Sequence, residues 1–296
     1  MRVLIFGADG FIGRNVCMEL EKAHDVTKAS REISVDDSKS VQVDLLDQDS
    51  INEALVKVNP EVIINCAGVI DASMDVDLNS QFTKNILEKV VKTHGVKRVI
   101  ICGSAGEYGL VDQKNIPVNE ETPLNANYGY GLSKVNEETL AHDYQKKFGI
   151  NVVALRIFNP IGKGMADKFL LTRLLQQVNE YRLGNRTSIE VARLDAKRDY
   201  VAIKDVATAF RVVVEGNPVE SVYNVGSGRS TTNGKLLELI LRNSELDTIP
   251  QIIETSDKVE SLVAAQADIS RLSNEFDWRP VQKLEDTVRE IVDDKK

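Results

Sequence analysis

The sequence predicts an α/β fold: a doubly wound parallel sheet with a smaller lobe interleaved among its late strands. Three observations carry that reading. Short apolar runs alternate with stretches of helical periodicity, the connections between them are short, and a glycine-rich turn joins the first run to the first helical stretch. Val3-Leu4-Ile5-Phe6, stopped by Gly7, is the pattern of a strand buried on both faces. Phe11, Ile12, Val16 and Leu20 then recur at helical intervals, and a second short strand starts at Val26. Ser50-Ile51-Asn52-Glu53 has capping-box spacing and predicts a helix opening there and stopping near Pro60. Glu61–Cys66 reads as a buried strand, Phe82, Ile86 and Val90 as a helix face ending by Gly95, and Arg98–Cys102 as strand again. Right-handed crossovers turn such an alternation into a doubly wound sheet.

After about Ile157 the rhythm loosens. Phe169–Val178 reads as helical, Ser188–Val191 as extended and Asp205–Val214 as helical; Gly226-Ser227-Gly228 and the tail from Leu284 complete the smaller lobe. No repeat or low-complexity linker is present, and Asp293-Asp294-Lys295-Lys296 reads as a frayed end.

Composition bounds the function. With 296 residues, 42% apolar and 28% charged, the chain holds enough apolar material for a sizeable core and too much for disorder. Lys+Arg 37 against Asp+Glu 45 gives −8, which argues against a general nucleic-acid binder, so any anion must meet a local positive patch. His24, His94, His142, Cys17, Cys66 and Cys102 form no CxxC, HExxH or paired-ligand spacing, so no dedicated metal site is expected. An odd, scattered cysteine set predicts reduced thiols and a cytoplasmic location. The N-terminal apolar run is too short for a signal segment and no run approaches a membrane span, so a soluble chain with no membrane partner is expected.

Gly7-Ala8-Asp9-Gly10-Phe11-Ile12-Gly13 carries the first chemical signal. Glycines allow the tight turn, let backbone N–H groups approach a pyrophosphate at the positive end of a helix, and let helix and strand pack closely. After a buried strand, within a βαβ rhythm, that loop predicts dinucleotide binding. A NAD-preferring site usually ends its second strand in an acid. Here Ser30 and Arg31 stand there, and a hydroxyl plus a guanidinium suits a 2′-phosphate. The expectation is NADP(H), with NAD(H) open; the plainer alternative makes Arg31 a solvated loop charge. Asp44-Leu45 could hydrogen-bond an adenine amino group, or Asp44 could simply open a helix.

Tyr130-Gly131-Leu132-Ser133-Lys134 places a phenol and an ammonium one helical turn apart. A free phenol titrates near ~10, and a lysine charge beside it stabilises the phenolate and makes acid–base work accessible. Tyr200-Val201-Ala202-Ile203-Lys204 has the same spacing but lies in a strand-like stretch that separates its ends, so Tyr200 reads as structural. Ser104 follows the strand Val99–Cys102, where a doubly wound sheet binds ligands, and could polarise a carbonyl; by position alone it reads as a turn serine.

Together these pieces resemble the extended short-chain dehydrogenase/reductase family, a Rossmann-fold group, in its NAD(P)-dependent nucleotide-sugar epimerase, dehydratase and reductase branch. The resemblance rests on GADGFIG at 7–13, DLLD at 44–47, INCAG at 64–68, GSAGEYG at 103–109, YGYGLSK at 128–134, LRIFNPIGKG at 155–164, RDYVAIKDVA at 198–207 and YNVGSG at 223–228. It implies that Ser104, Tyr130 and Lys134 are catalytic. It implies that Gly7, Gly10, Phe11, Ile12 and Gly13 hold the pyrophosphate, with Ala67 and Asn79 beside the cofactor. Asn159 and Arg198 fall where the family meets the nucleotide-sugar diphosphate, and Lys258 where relatives present an arginine; a surface salt bridge to Asp199 is the plainer reading of Arg198. The implied division is residues 1–157, with 200–226 returning to them, as dinucleotide-binding domain, and 158–199 with 227–296 as substrate-binding lobe.

Departures from the family narrow the activity. Its 4,6-dehydratases carry an Asp-Glu pair after the hydroxyl residue, whereas Ala105-Gly106 stand here, so elimination of water lacks its acid and base. The GSAGEYG, IFNPIGKG and RLDAKRDY segments look most like the GDP-4-keto-6-deoxy-mannose reductase type. The resemblance thus implies a nucleotide-linked 4-keto sugar reductase; a NAD-dependent 4-epimerase is the alternative and a non-catalytic Rossmann binding subunit the lesser one. A homodimer is implied by analogy, through the helix carrying Tyr130 and Lys134, with Leu140 and Tyr144 facing either a partner or the chain's own core.

Overall fold

Alternation along the apolar runs decides the architecture. In β1 (Arg2–Phe6), Val3 and Ile5 join one core while Leu4 and Phe6 join another, so the strand is buried on both faces. The computed structural model describes residues 1–32, 38–70, 77–255 and 266–295. The further strands are β2 (Asp25–Ser30), β3 (Ser40–Gln42), β4 (Val62–Asn65), β5 (Arg98–Ser104), β6 (Val152–Ile157), β7 (Asn159–Ile161), β8 (Ser188–Val191), β9 (Lys197–Arg198), β10 (Tyr200–Ala202), β11 (Val222–Val225), β12 (Thr231–Thr232) and β13 (Gln251–Glu254). A seven-stranded parallel sheet runs in the order β11-β6-β5-β4-β1-β2-β3.

Helices cover both faces. On one side α1 (Phe11–Leu20) supplies Val16, Cys17 and Leu20, and α6 (Ile203–Glu215) supplies Val206, Phe210 and Val213. On the other, α2 (Gln48–Val58) gives Ile51 and Leu55, α3 (Leu78–Val90) gives Ile86, Leu87 and Val90, and α4 (Gly129–Phe148) gives Ala141. A third core joins α5 (Leu170–Arg182), α7 (Asn233–Asn243) and α9 (Leu284–Asp294) to Ile189 and Val191 of β8, which pairs with β13. Small pairings, β7 with β10 and β9 with β12, tie this lobe to the sheet's edge, and Phe11 packs against both its core and that of the sheet. Helix α8 (Ser270–Phe276) returns to the sheet through Leu272.

Two boundaries differ from the sequence expectation. The first concerns α2, which opens three residues before the predicted capping box: Asp47 is its N-cap, accepting from the Asp49 N–H at 2.9 Å. Ser50 is drawn backward instead, its Oγ accepting from the Asp44 N–H at 3.1 Å. The helix does stop before Pro60, through Asn59 in the left-handed region at φ 46°. The second concerns the tail, where Asp293 and Asp294 remain helical in α9 rather than frayed.

Chain order creates the functional crevice. From β1 the chain steps to β2 and β3, then crosses back so that β4 lies on β1's other side. The loops leaving β1 and β4 therefore diverge, and ligands bind at such a switch point, beyond the strands' C-terminal ends.

Candidate active site

The glycine loop leaves β1 at this switch point. Gly10 is the N-cap of α1, no side chain caps the helix, and no acidic residue occupies its first turn. The first N–H groups of α1 thus lack side-chain acceptors at the positive end of a helix, which is what an anion requires. Close packing depends on Gly13, where a Cβ would lie 2.1 Å from the Gly7 carbonyl oxygen. Ser30 sits at the end of β2, nearly buried, with no hydrogen-bond partner for its hydroxyl among the described residues; Arg31 beyond it is exposed. A buried hydroxyl without a partner is costly unless something polar meets it. Asp44 turns its carboxylate to the Leu46 N–H at 2.9 Å, and buried Leu45 belongs to the core beneath. Across the crevice, Asn79 on α3 bridges two segments. Its Oδ1 accepts from the Val69 N–H at 2.9 Å and its Nδ2 donates to Ser133 Oγ at 3.0 Å. Ala67 N–H donates to Asn65 Oδ1 at 3.0 Å.

Ser104 is the last residue of β5 and caps the short 3₁₀ turn Ala105–Tyr108. Its Oγ accepts from the Gly106 N–H at 3.1 Å, and Glu107 reaches back to the Ser104 N–H at 2.5 Å. Ser104 therefore has the turn role that its position alone predicts. Gly131 lets α4 start directly against that turn, since a Cβ there would lie 2.5 Å from the Gly106 carbonyl oxygen. This approach brings Tyr130, in the first turn of α4, near Ser104: a Cβ at Gly106 would lie 3.2 Å from Ser104 Oγ and 3.8 Å from the Tyr130 ring.

Charge around the phenol is organised in depth. Burial pushes the Tyr130 phenol above its usual range, while Lys134 and Ser104 pull it down and Glu137 and Glu107 push it up. Lys134 is 4% exposed and forms an ion pair with Glu137. Burial disfavours its charge, but Glu137 and Tyr130 more than compensate, so the ammonium is held charged. Behind Ser104 lies a second buried charge cluster. Arg156 donates to Glu138 through Nε at 3.0 Å and Nη2 at 2.6 Å, and to the Tyr108 hydroxyl at 3.0 Å. Burial raises the Glu107 carboxyl well above the carboxylate range, with Glu138 adding to the effect.

The second YxxxK is not a site. Tyr200 ends in a 3.5 Å contact with Asn233, while Lys204 has passed into α6 and pairs with Glu290 at 2.8 Å. Asn159 donates to the Asp199 carbonyl at 2.9 Å. The plainer reading of Arg198 requires Asp199, but that carboxylate is fully buried and points the other way. It accepts from Ser227 N–H and Oγ, Gly228 N–H and Ala267 N–H at 2.6–3.0 Å, knitting the YNVGSG segment to the chain at 267. Arg198 is half-buried, and the Asp199 carboxylate is engaged by these groups instead. Lys258 lies outside the described residues.

Sequence reasoning missed Glu137 and Glu107. A Lys and a Glu three apart in a helix read as a solvated pair, and only packing against α3 and β4 shows otherwise. The S-x-x-E spacing of Ser104 and Glu107 was a usable signal for the cap. Among the described residues no cluster of three or more His, Cys, Asp or Glu could hold a metal, and no helix is long and apolar enough to cross a membrane. A cleft of about 960 Å³ runs along α1 past Arg14, Met18 and Lys204; it touches the glycine loop at Ala8 and Asp9 but holds neither Tyr130 nor Lys134.

The chain is similar to known proteins. GDP-6-deoxy-D-mannose reductase of Pseudomonas aeruginosa is 26% identical over 306 residues, covering 99% of this chain and 96% of that protein. The dTDP-4-dehydro-6-deoxyglucose reductase of Escherichia coli is 30% identical over 230 residues, covering 75% of this chain and 67% of that protein. The solved structure of RMD from Pseudomonas aeruginosa complexed with NADPH superposes with a TM-score of 0.86 at 24% identity, covering 99% of this chain and 98% of that one. Residues 3–226 match the model of the NAD dependent epimerase/dehydratase family, and the chain belongs to that family.

Proposed function

We propose that this protein is an NAD(P)-dependent oxidoreductase acting at C4 of a nucleotide-linked sugar, and specifically a 4-keto sugar reductase that uses NADPH. The observation that carries the reading is Tyr130 at the start of α4, packed across Gly106 from Ser104 and one turn before the buried Lys134. Two curated relatives named as reductases point the same way, while others are named as UDP-glucose 4-epimerases.

The residues present fit a dinucleotide. The uncapped first turn of α1, with Gly7, Gly10, Phe11, Ile12 and Gly13, would take the pyrophosphate. Ser30, whose hydroxyl has no partner among the described residues, and Arg31 would take a ribose 2′-phosphate, which is the ground for favouring NADP(H) over NAD(H). Asp44 and Leu45 would border the adenine, and Ala67, Asn79, Tyr130 and Lys134 the nicotinamide half. When bound, the reduced nicotinamide supplies the hydride. Ser104 hydrogen-bonds the substrate carbonyl, Tyr130 gives that oxygen a proton, and Lys134 stabilises the phenolate left behind. Asn159, Arg198 and Lys258 are assigned to the nucleotide-sugar side; Arg198 would supply a bidentate partner for a diphosphate.

Dehydration is disfavoured by structure as well as by sequence. Ala105 and Gly106 offer no acid, and Glu107 is fully buried against the Ser104 backbone and Arg156. The division into residues 1–157 with 200–226 and 158–199 with 227–296 is retained as a proposal, as are a cytoplasmic location and a homodimer through α4. For the dimer Leu140 is the better candidate, because Tyr144 already packs on the sheet core and reaches Glu88 at 3.5 Å.

The test is the nucleotide released from freshly purified protein, with titration of both reduced cofactors. Protein that carries no stoichiometric NAD and binds NADPH at least tenfold tighter than NADH supports the reductase. Stoichiometric retained NAD replaces it with a 4-epimerase, and equal affinities remove the NADP assignment.

A further inference from the structure

Lys134 does not face Tyr130 as a bare cation. One turn along α4, Glu137 turns inward rather than to solvent; it is 1% exposed and pairs through Oε2 with the Lys134 ammonium. Its other oxygen is equally engaged. Oε1 accepts from Thr83 Oγ1 on α3 at 2.6 Å and from Asn65 Nδ2 at the end of β4 at 3.5 Å. The same Asn65 amide receives the Ala67 N–H through its Oδ1, and Thr83 Oγ1 also accepts from Asn65 at 2.9 Å. Three elements therefore converge on one carboxylate, in a place where an isolated charge would be strongly disfavoured.

The pairing matters for the reaction. A positive charge beside a phenol favours the phenolate, and a carboxylate on that charge cancels much of the effect. The groups facing Tyr130 are Lys134 and Glu137 from its own helix, Ser104 from β5 and Glu107 from the 3₁₀ turn. Those facing Lys134 include Glu137, Tyr130 and the Cys102 thiol of β5. Carbonyl reduction consumes a phenol proton: the phenol O–H breaks, the alcohol O–H forms, and the phenolate regains its proton from water. Alcohol oxidation needs the phenolate at the start.

We propose that Glu137 is a positioning residue that pins the Lys134 ammonium and neutralises it beside Tyr130, so that the resting site holds a neutral phenol and is set to give a proton to a carbonyl. This inference rests on the carbonyl-reducing function above and sharpens it, since it gives the site a direction. The pair is buried, with Lys134 4% and Glu137 1% exposed.

The test is ultraviolet titration of the Tyr130 phenolate, read as the difference between each protein and its Tyr130→Phe counterpart, with no substrate added. In Glu137→Gln the phenolate is expected at a pH lower by about one unit or more, the size of a neighbouring-charge effect. The alkaline limb of the pH profile for carbonyl reduction should move with it. Glu137→Asp, which keeps the charge but withdraws it by one methylene, should shift both in the same direction by less, and it carries the test if Glu137→Gln does not fold. A purely structural role would lower stability or turnover at every pH and leave the titration in place; coincident titration curves overturn the proposal. Failure of the wild type to reduce any 4-keto nucleotide sugar would instead sink the proposed function, because the phenolate titration is read without substrate.

Discussion

Replacing Gly13 with alanine tests the cofactor loop at its tightest point. A Cβ there would stand 2.1 Å from the Gly7 carbonyl oxygen and 2.9 Å from Ala8 Cα, all of it backbone. Ordinary contact needs roughly 3.5 Å, so α1 must retreat by about 1 Å or more from the loop. The Gly7 oxygen cannot easily yield, because it accepts from the Gly10 N–H at 3.1 Å and that bond closes the turn. Overpacking of this kind costs about 1–3 kcal/mol. If the strain falls on the loop that receives the pyrophosphate, cofactor Kd rises roughly 5- to 150-fold, at tenfold per ~1.4 kcal/mol. Fluorescence titration with NADPH measures the change, and thermal unfolding separates it from global loss of structure. A folded Gly13→Ala protein with Kd within about twofold of wild type would refute the reasoning, because the helix N-terminus would then not be where the pyrophosphate sits.

Other perturbations reach other parts of the account. Tyr130→Phe should cut turnover by roughly 10²–10⁴ while leaving cofactor Kd nearly unchanged, as loss of a general acid does, checked by steady-state kinetics and cofactor titration. Arg156→Met leaves the Glu138 carboxylate buried without its bidentate partner, and should cost about 3–5 kcal/mol in urea denaturation. Glu61 is held down to about 2 by the Lys97 ammonium at 2.8 Å and the Arg2 N–H at 3.0 Å. A lowered folded-state value means its contribution is present above the usual ~4.5 and is lost as pH falls toward 2. The stability difference between wild type and Glu61→Gln should therefore be flat from pH 7 to about 5 and shrink below that, followed by thermal unfolding.

The sheet was largely legible in the sequence because its physics is local. Val3–Phe6, Glu61–Cys66 and Arg98–Cys102 announce strands buried on both faces, and the glycine loop marks where the first crossover begins. Errors arose where two local signals competed. Ser50 and Glu53 have capping-box spacing, yet Asp47 takes the cap and Ser50 is spent on the Asp44 N–H. The site was legible as types and spacings but not as electrostatics. Glu137 looks like half of a surface pair until Thr83 and Asn65, 54 and 72 residues away, are seen to close over it. Asp199 looks like a partner for Arg198 until the 226–228 segment and Ala267 claim its carboxylate. Both cases have one origin: whether a charge is solvated depends on packing between distant segments, which spacing along the chain does not encode.

The most direct test of the central claim is a stoichiometric one: the protein is mixed with NADPH and a nucleotide-linked 4-keto-6-deoxy sugar, and both cofactor and sugar are counted. The account predicts one NADPH oxidised for each 4-keto group reduced, with the Tyr130→Phe protein slowed by two or more orders of magnitude at full cofactor occupancy. Interconversion of 4-hydroxy sugar nucleotides with no net oxidation of NADPH, or reduction at an undiminished rate without the Tyr130 hydroxyl, would contradict it.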